Sequence, residues 1–203
     1  MISVITGDIK NSRKIPPAQW LNRLKQQLKA FGATPKYWEV FSGDSFQLRI
    51  NDPQQALVAA ITIKAAIMSL PKADVRMAIG IGAINHEARK ITECNGEAFI
   101  HSGEQFEQLA KARQDLAIKT PWADFDAEMN LYLKLVQAAI KNWTANTAEV
   151  VWLAITNPDV SQEGIGEKIG IKQNAVSSRL KRANYDVLME LNAMYITKLK
   201  QHL

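Results

Sequence analysis

The sequence is poor in the residues that form disulfides and zinc sites. It has one cysteine, Cys94, and three histidines among 203 residues. One cysteine excludes an internal disulfide, and the scattered histidines do not complete a zinc-binding set with it. Long apolar runs are also missing, because no stretch approaches the ~20 residues that span a bilayer. The opening residues, MISVITGD, lack a signal-peptide pattern, so we expect a cytoplasmic protein with no membrane partner.

What the sequence does have is enough apolar residues for a core and an excess of positive charge. Hydrophobic residues make up 47% of the chain, the formal net charge is +5 and the pI is about 9.3. A basic protein is compatible with an anionic partner such as nucleic acid. The charge is unevenly placed, because residues 172–182 contain four basic residues and no acidic one.

The first part of the chain alternates between strand and helix patterns. Pro16 and Pro53 indicate the starts of two helices, and a third lies within 95–113. Apolar periodicity predicts strands at 2–5, 37–41, 45–50, 74–84 and 115–120. The order contains a hairpin between two helices, which is the split β-α-β plan. We predict an α+β fold whose first domain, 1–122, is a ferredoxin-like antiparallel sheet with helices on one face.

Residues 123–203 predict an all-α region that contains a helix-turn-helix at 161–183. Ser161 is a good N-cap for the first helix of this motif. Gly170 permits the left-handed backbone conformation that separates two helices. We expect Asn174 to cap the second helix, the recognition helix.

Two Gly-Asp pairs each place a carboxylate at a break between apolar segments, in TGDIKNSR and FSGDSFQLRI. In a split β-α-β sheet, the end of the first strand lies beside the tip of the central hairpin, so Asp8 and Asp44 are expected to meet. Two close carboxylates repel each other unless a cation lies between them, and hard oxygen ligands favour Mg²⁺ or Mn²⁺. The alternative is that Asp8 caps a turn and Asp44 occupies an ordinary hairpin turn.

The loop that follows Asp8 is basic and is a candidate phosphate site. A phosphate bound through a metal at Asp8 would find backbone amides and cations in this loop. The alternative is a solvated basic loop without a ligand. The residues predicted to bind nucleotide or phosphate are Lys10, Asn11, Ser12, Arg13, Lys14 and Gly43.

Four segments in order resemble the catalytic domain of class III nucleotide cyclases: TGDIKNSR, FSGDSFQL, VRMAIGIGAI and GEAFIHSGEQF. The resemblance implies a cyclase-like domain in which Asp8 and Asp44 hold the metal and the Ile9 carbonyl is a third ligand. The fourth segment departs from the family. Ile100 and Glu104 stand where the family has the asparagine that positions the ribose and the arginine that stabilises charge at phosphorus.

The whole chain resembles the SatD family of bacterial proteins. The similar segments are TGDIKNSR at the start, the GDSFQL hairpin, the GIG strand, NGEAFIHSGE and a helical C-terminal module. The resemblance implies a cyclase-like sheet joined to a DNA-binding-type tail. It carries no established activity.

The stretch IGEKIGIKQNAVSSRLKRA is similar to the helix-turn-helix of sigma-factor region 4, with Gly166 where that family has a small alanine. In such motifs the start of the recognition helix reaches base edges, and flanking cations hold phosphates. A module that binds only protein is the alternative. The residues implied as DNA contacts are Lys172, Gln173, Asn174, Ser177, Ser178, Arg179, Lys181 and Arg182.

The leading hypothesis is a DNA-binding, transcriptional-regulator-like protein whose first domain binds a nucleotide or divalent metal, or forms a dimer. One alternative is a Mg²⁺- or Mn²⁺-dependent enzyme for nucleotidyl or phosphoryl transfer with a regulatory tail. Another is a degenerate sheet domain that serves only as a scaffold. Specific DNA sites normally engage two modules, and cyclase domains pair head to tail, so we expect a homodimer. A helix at 126–143 is the alternative dimer seam.

Overall fold

The computed structural model describes all of residues 1–203 and has an α+β fold. Its five strands are β1 (Ile2–Lys10), β2 (Trp38–Phe41), β3 (Ser45–Ile50), β4 (Asp74–Gly82) and β5 (Leu116–Lys119). They form one sheet in the order β2-β3-β1-β4-β5. The pairs β2–β3, β3–β1 and β1–β4 are antiparallel, as predicted. The fourth pair, β4–β5, is parallel, so the prediction of a wholly antiparallel sheet is wrong at this edge.

Eight helices surround or extend this sheet. They are α1 (Pro17–Leu28), α2 (Ala56–Met68), α3 (Glu97–Ala112), α4 (Ala123–Ile140), α5 (Ala145–Thr156), α6 (Gln162–Ile169), α7 (Gln173–Arg182) and α8 (Tyr185–Leu199). Because α3 carries the chain back to the end of the sheet where β4 began, β5 runs in the direction of β4. None of the eight helices has both the length and the hydropathy needed to cross a membrane.

Helices cover both faces of the sheet, so the prediction of helices on one face is also wrong. Side chains alternate between the two faces along a strand. Ile5 and Ile9 of β1 lie in the main core with α1 and α2. Val4 lies in a separate cluster with Phe99 of α3 on the other face. An amphipathic pattern shows that a helix has an apolar side, but it does not show which face of a sheet that side covers.

The C-terminal helices share the main core with the sheet. Phe125 of α4 and Tyr195 of α8 belong to this core, and the Tyr195 hydroxyl donates a hydrogen bond to the Pro53 carbonyl at 2.6 Å. A second core is formed mainly by α5, α6, α7 and the start of α8. Packing is therefore continuous across the predicted boundary between 1–122 and 123–203.

Candidate nucleic-acid interface and carboxylate sites

The turn between α6 and α7 is built by short-range signals in the sequence. The Ser161 hydroxyl accepts a hydrogen bond from the Gly164 amide at 3.1 Å, which caps the start of α6. Gly170 ends α6 in the left-handed conformation, with φ of 69°. The Ile171 amide then donates to the Gly166 carbonyl at 2.9 Å and closes the turn. The roles predicted for Ser161 and Gly170 are confirmed.

Helix α7 has one apolar side and one polar side. Val176 and Leu180 are buried in the second core, and Ala183 continues that side just beyond the helix. The Trp143 indole donates to the Ala183 carbonyl at 3.3 Å, which ties the end of α7 to the preceding helices. The residues predicted to contact DNA lie away from this core: Lys172, Gln173, Asn174, Ser177, Ser178, Lys181 and Arg182 are exposed, and Arg179 is half-buried.

The polar side of α7 is basic and its cations are free of carboxylates. No ion pair in the protein involves Lys172, Arg179, Lys181 or Arg182. The Arg182 guanidinium donates only to the Ser178 carbonyl within its own helix, at 3.2 Å. The charge of this surface is therefore available to a partner in solution.

The predicted capping role of Asn174 is wrong. Helix α7 begins one residue earlier, at Gln173, and Lys172 occupies the N-cap position without a side-chain hydrogen bond. Asn174 thus lies inside the first turn, where its exposed amide makes no contact within the chain that would replace a cap. Its side chain is exposed, like those of most other candidate contacts, and its role as a DNA contact stays a prediction.

Asp8 is engaged by an arginine that the sequence patterns did not single out. Strand β1 continues to Lys10, so Asp8 is a strand residue and not a turn cap. Arg76 of β4 is its paired neighbour and donates from Nε and Nη2 to the two carboxylate oxygens, at 3.1 and 2.8 Å. The Arg76 guanidinium also lies 5.1 Å from the ring centre of Phe106 in α3. Asp8 therefore projects toward α3.

Asp44 lies on the other side of the sheet. Its carboxylate accepts a hydrogen bond from the Ser12 hydroxyl at 2.5 Å, and its backbone carbonyl accepts one from the Ile9 amide at 3.1 Å. These contacts place it beside the loop that leads into α1. A surface recess of about 270 Å³ is lined here by Ser12, Arg13, Pro17, Trp20, Ser42, Gly43 and Asp44.

The structure therefore does not bring the two carboxylates to one point. Asp8 pairs with Ser45 in the register of β1 and β3. Asp44 therefore lies opposite Ile9, one strand position away from Asp8. Successive strand positions face opposite sides. No group of three or more His, Cys, Asp or Glu side chains is arranged to hold a metal ion. A cation shared by Asp8 and Asp44 would require Arg76 to release Asp8 and the hairpin tip to turn over.

Lys10 lies in an ion-pair cluster and not with the loop that follows it. Its ammonium group is 2.9 Å from Asp115 and 3.1 Å from Asp74. Lys64 of α2, which is buried, bonds the same two carboxylates at 3.4 and 2.6 Å. Lys10 is therefore paired with carboxylates of the chain itself, and its role as a phosphate ligand stays a prediction. Of the other predicted loop residues, Asn11 and Lys14 are exposed and lie outside the recess lining.

This cluster shifts the protonation of its members. Burial acts to raise the pKa of Asp115, but the charges of Lys64 and Lys10 and the Lys10 hydrogen bond outweigh it, so the pKa lies below its usual value. Burial acts to lower the pKa of Lys10, and the two carboxylates raise it overall. Both groups are held in their charged forms. The signal for the cluster was present in the sequence, because Lys64 interrupts the apolar run AAITIKAAIM.

The chain matches no protein-family model and no curated protein.

Proposed function

We propose that the protein binds double-stranded DNA through α7. The observation that carries the proposal is that α7 presents a continuous polar and basic side, with no acidic residue, while Val176 and Leu180 fix its other side in a core. The arrangement of α5, α6 and α7 supports the helix-turn-helix interpretation, in which the second helix of the motif enters the major groove. The order β2-β3-β1-β4 likewise supports a ferredoxin-like sheet as the base that carries this module.

The residues of α7 divide into two roles. Gln173, Asn174 and Ser177 lie in the first turns, where recognition helices reach base edges, and Gln and Asn amides pair bidentately with adenine. Lys181 and Arg182 lie at the other end of the helix and suit the phosphate backbone, which attracts cations without regard to sequence. Sequence preference should therefore depend on the first group and affinity on the second.

The test is a binding titration on duplexes selected from a random pool, read by fluorescence anisotropy. We expect Arg182→Gln to weaken binding to all duplexes and to reduce the slope of log affinity against log salt by about one. Lys200→Gln, which removes an exposed charge beyond α8, is the matched control and should change neither. Gln173→Ala should alter which duplexes are preferred. Equal effects of Arg182→Gln and Lys200→Gln would reject α7 as the DNA-binding surface.

A homodimer is the second element of the proposal. A groove of about 290 Å³ between α4 and α8 is almost wholly apolar, and Glu190 is its only charged lining residue. Leu131, Leu135 and Val187 on these two helices are more than half exposed. A two-fold interface brings the same patch of the two copies together, so that this apolar surface would be covered by its own copy. Because α8 follows α7 directly, a second copy docked here would hold two recognition helices in a fixed relation, as two half-sites require.

Sedimentation of the protein without DNA tests the dimer separately from DNA binding. We expect a dimer for the wild type and a monomer for Leu135→Glu, because a buried carboxylate without a partner disfavours association. Ile100→Glu is the control, because Ile100 is 50% exposed and lies on α3, away from the groove. A monomeric wild type, or a dimer that tolerates Leu135→Glu, would reject this interface.

A nucleotide-phosphate or divalent-metal site at the Ser12–Asp44 recess is a second candidate function. The observation that favours it is that the recess brings together Ser12, Arg13, Gly43 and Asp44, four of the residues predicted from the sequence. Asp44 would supply a carboxylate to Mg²⁺ or Mn²⁺, and Arg13 a cation to a phosphate.

Melting temperatures with and without Mn²⁺ and nucleoside triphosphates test this candidate. Native-state binding at a hundred times Kd stabilises by about 2.7 kcal/mol, which melting detects easily. Asp44→Asn should abolish the response, whereas Asp159→Asn, at an exposed loop position, should retain it. If none of these ligands changes the melting temperature of the wild type, the recess is not a binding site. The sheet would then serve only as the structural base of the DNA-binding module.

A further inference from the structure

A second basic surface lies far along the chain from α7, on the α3 side of the sheet. It is a cavity of about 260 Å³ between the ends of β1 and β4, the last turn of α3 and the residue that follows α4. Four of its lining residues are basic, Lys10, Arg76, Arg113 and Lys141, and Asp115 is its only carboxylate. The recess at Ser12 and Asp44 is separate, because it lies on the α1 side.

The cations of this cavity are not all neutralised. Lys10 is paired with Asp115 and Asp74, so this part of the lining is balanced within the chain. Arg113 and Lys141 are exposed and form no ion pair. Two positive charges, each on the residue that follows a helix, therefore line one concave surface without an ion-pair partner in the protein.

Arg76 gives the cavity a rigid donor. Its Nε and Nη2 atoms are bound to Asp8, and its guanidinium lies over the Phe106 ring. Its Nη1 atom makes no hydrogen bond within the chain. A guanidinium fixed in this way presents its remaining donors with little loss of side-chain freedom on binding.

Gln114 is an independent sign that the cavity is built for an acceptor. Its side-chain Nε2 is buried and has no hydrogen-bond partner, although the residue lines the cavity. Buried amide donors are almost always paired, because an unpaired one loses its hydration without compensation. Rotation of the amide about its last side-chain bond would turn this donor toward an anion in the cavity, among the cations.

We propose that this cavity binds a small phosphate-bearing anion, held by Arg113, Lys141, Arg76 and the Gln114 amide. Its volume lies just below the range of about 300–1,000 Å³ typical of pockets for drug-sized ligands, which favours one or two phosphate groups over a larger molecule. Arginine and amide donors match the several acceptor oxygens of such a group. The site does not depend on the DNA-binding proposal, because none of these residues lies on α7.

Calorimetric titration of the full-length protein with inorganic phosphate and with pyrophosphate tests the site, with chloride at the same ionic strength as the reference. We expect saturable binding by the wild type. The double variant Arg113→Gln, Lys141→Gln should bind at least about tenfold more weakly, because it loses two charge-assisted contacts. The control double variant Lys111→Gln, Lys134→Gln removes the same charge from the same region of α3 and α4, outside the cavity, and should bind like the wild type.

Gln114→Leu reports on the amide without changing the net charge. It should weaken phosphate binding while leaving the melting temperature of the ligand-free protein unchanged or higher, because the unpaired donor is gone. A nucleoside triphosphate that binds more tightly than pyrophosphate, and loses affinity in the same variants, would identify the phosphate source as a nucleotide. The proposal is overturned if the wild type does not bind phosphate or pyrophosphate. Equal losses in the cavity and control double variants would overturn it as well.

Discussion

At the scale of single residues, the ion pair between Asp8 and Arg76 is the contact that distinguishes the structure from the predicted metal site. It is bidentate, and each side chain is about one-quarter exposed or less, at 21% and 24%. Such a pair is screened less than a surface pair and is fixed by two hydrogen bonds. In this structure the negative charge of Asp8 is neutralised by Arg76 of the same chain.

A double-mutant cycle with Asp8→Asn and Arg76→Gln should give a coupling free energy of about 1–3 kcal/mol, because charged hydrogen bonds in partly buried sites reach this range. Urea unfolding of the four proteins measures it. Lys90 and Glu93 provide the comparison, because both are more than half exposed and 3.7 Å apart. Their coupling should be below about 0.5 kcal/mol. Similar coupling free energies for the two pairs would show that the Asp8–Arg76 pair is no stronger than an exposed ion pair.

The partly buried cluster of Lys64, Lys10, Asp74 and Asp115 should make stability depend on pH. Because the pKa of Asp115 is lower in the folded than in the unfolded protein, its contribution is present above the unfolded value of about 3.9 and is lost as the pH falls through the folded pKa. Asp115→Asn should therefore reduce the free energy of unfolding at pH 7 by about 2 kcal/mol and flatten its decline below about pH 5.

Urea unfolding between pH 3 and pH 7 checks this prediction. Asp124→Asn, at an exposed position in the first turn of α4, is a suitable control and should follow the wild-type curve closely. Parallel curves for Asp115→Asn and the wild type would show that the cluster is not the source of acid sensitivity.

The sequence identified charged residues at the right places but could not assign their partners. Asp8 and Asp44 were found because glycine marks a break at each. Their separation depends on the register of β1 with β3, in which Asp8 faces Ser45. Register and facing are set by pairing between strands that are distant in the sequence, so a local pattern cannot give them. The sequence shows Arg76 only as a charged residue within the strand DVRMAIGIG and does not indicate its partner.

At the scale of elements, the close contact between α6 and the turn explains Gly166. A Cβ atom at this position would lie 2.5 Å from the Ile171 carbonyl oxygen, which is too close for a backbone atom that cannot move freely. Glycine at position 166 therefore permits the close approach of α6 to the turn that follows it.

Gly166→Ala should destabilise the protein by about 1–3 kcal/mol, because the overpacking cost exceeds the gain of about 1 kcal/mol in helix propensity. Gly103→Ala in α3 is the matched control, because a Cβ atom there meets nothing within 4 Å. It should stabilise the protein by up to about 1 kcal/mol. Thermal and urea unfolding compare the two variants. Stabilisation by both would mean that the turn can widen at little cost.

Elements governed by local signals were predicted best. The cap at Ser161, the left-handed Gly170 and the apolar side of α7 all rest on residues within one or two turns of each other. The parallel edge strand β5 and the position of α3 were not predicted correctly. Both depend on which face of the sheet α3 covers, and the packing of the whole sheet determines that face.

At the scale of the whole molecule, the shared core decides how the two predicted regions unfold. Tyr195 of α8 is fully buried among residues of the sheet domain, and its hydroxyl donates to Pro53 before α2. Burial raises the pKa of Tyr195, so it stays a neutral donor across the working range of pH. Helix α5 also packs against α2. The predicted boundary between 1–122 and 123–203 therefore marks a change of architecture without interrupting the core.

We therefore expect one cooperative unfolding transition, with amides of β1 and α5 exchanging their hydrogens at the same global free energy. Tyr195→Phe should lower that free energy by about 1 kcal/mol in both elements, because it removes a buried hydrogen bond and leaves the Ala56 amide as the only donor to the Pro53 carbonyl. Tyr185→Phe, whose hydroxyl makes no hydrogen bond within the chain, should change it by less than about 0.5 kcal/mol. Native-state hydrogen exchange measures each element separately. If Tyr195→Phe destabilised only one of the two elements, residues 1–122 and 123–203 would be independent folding units, and the core contacts of α8 would not couple them.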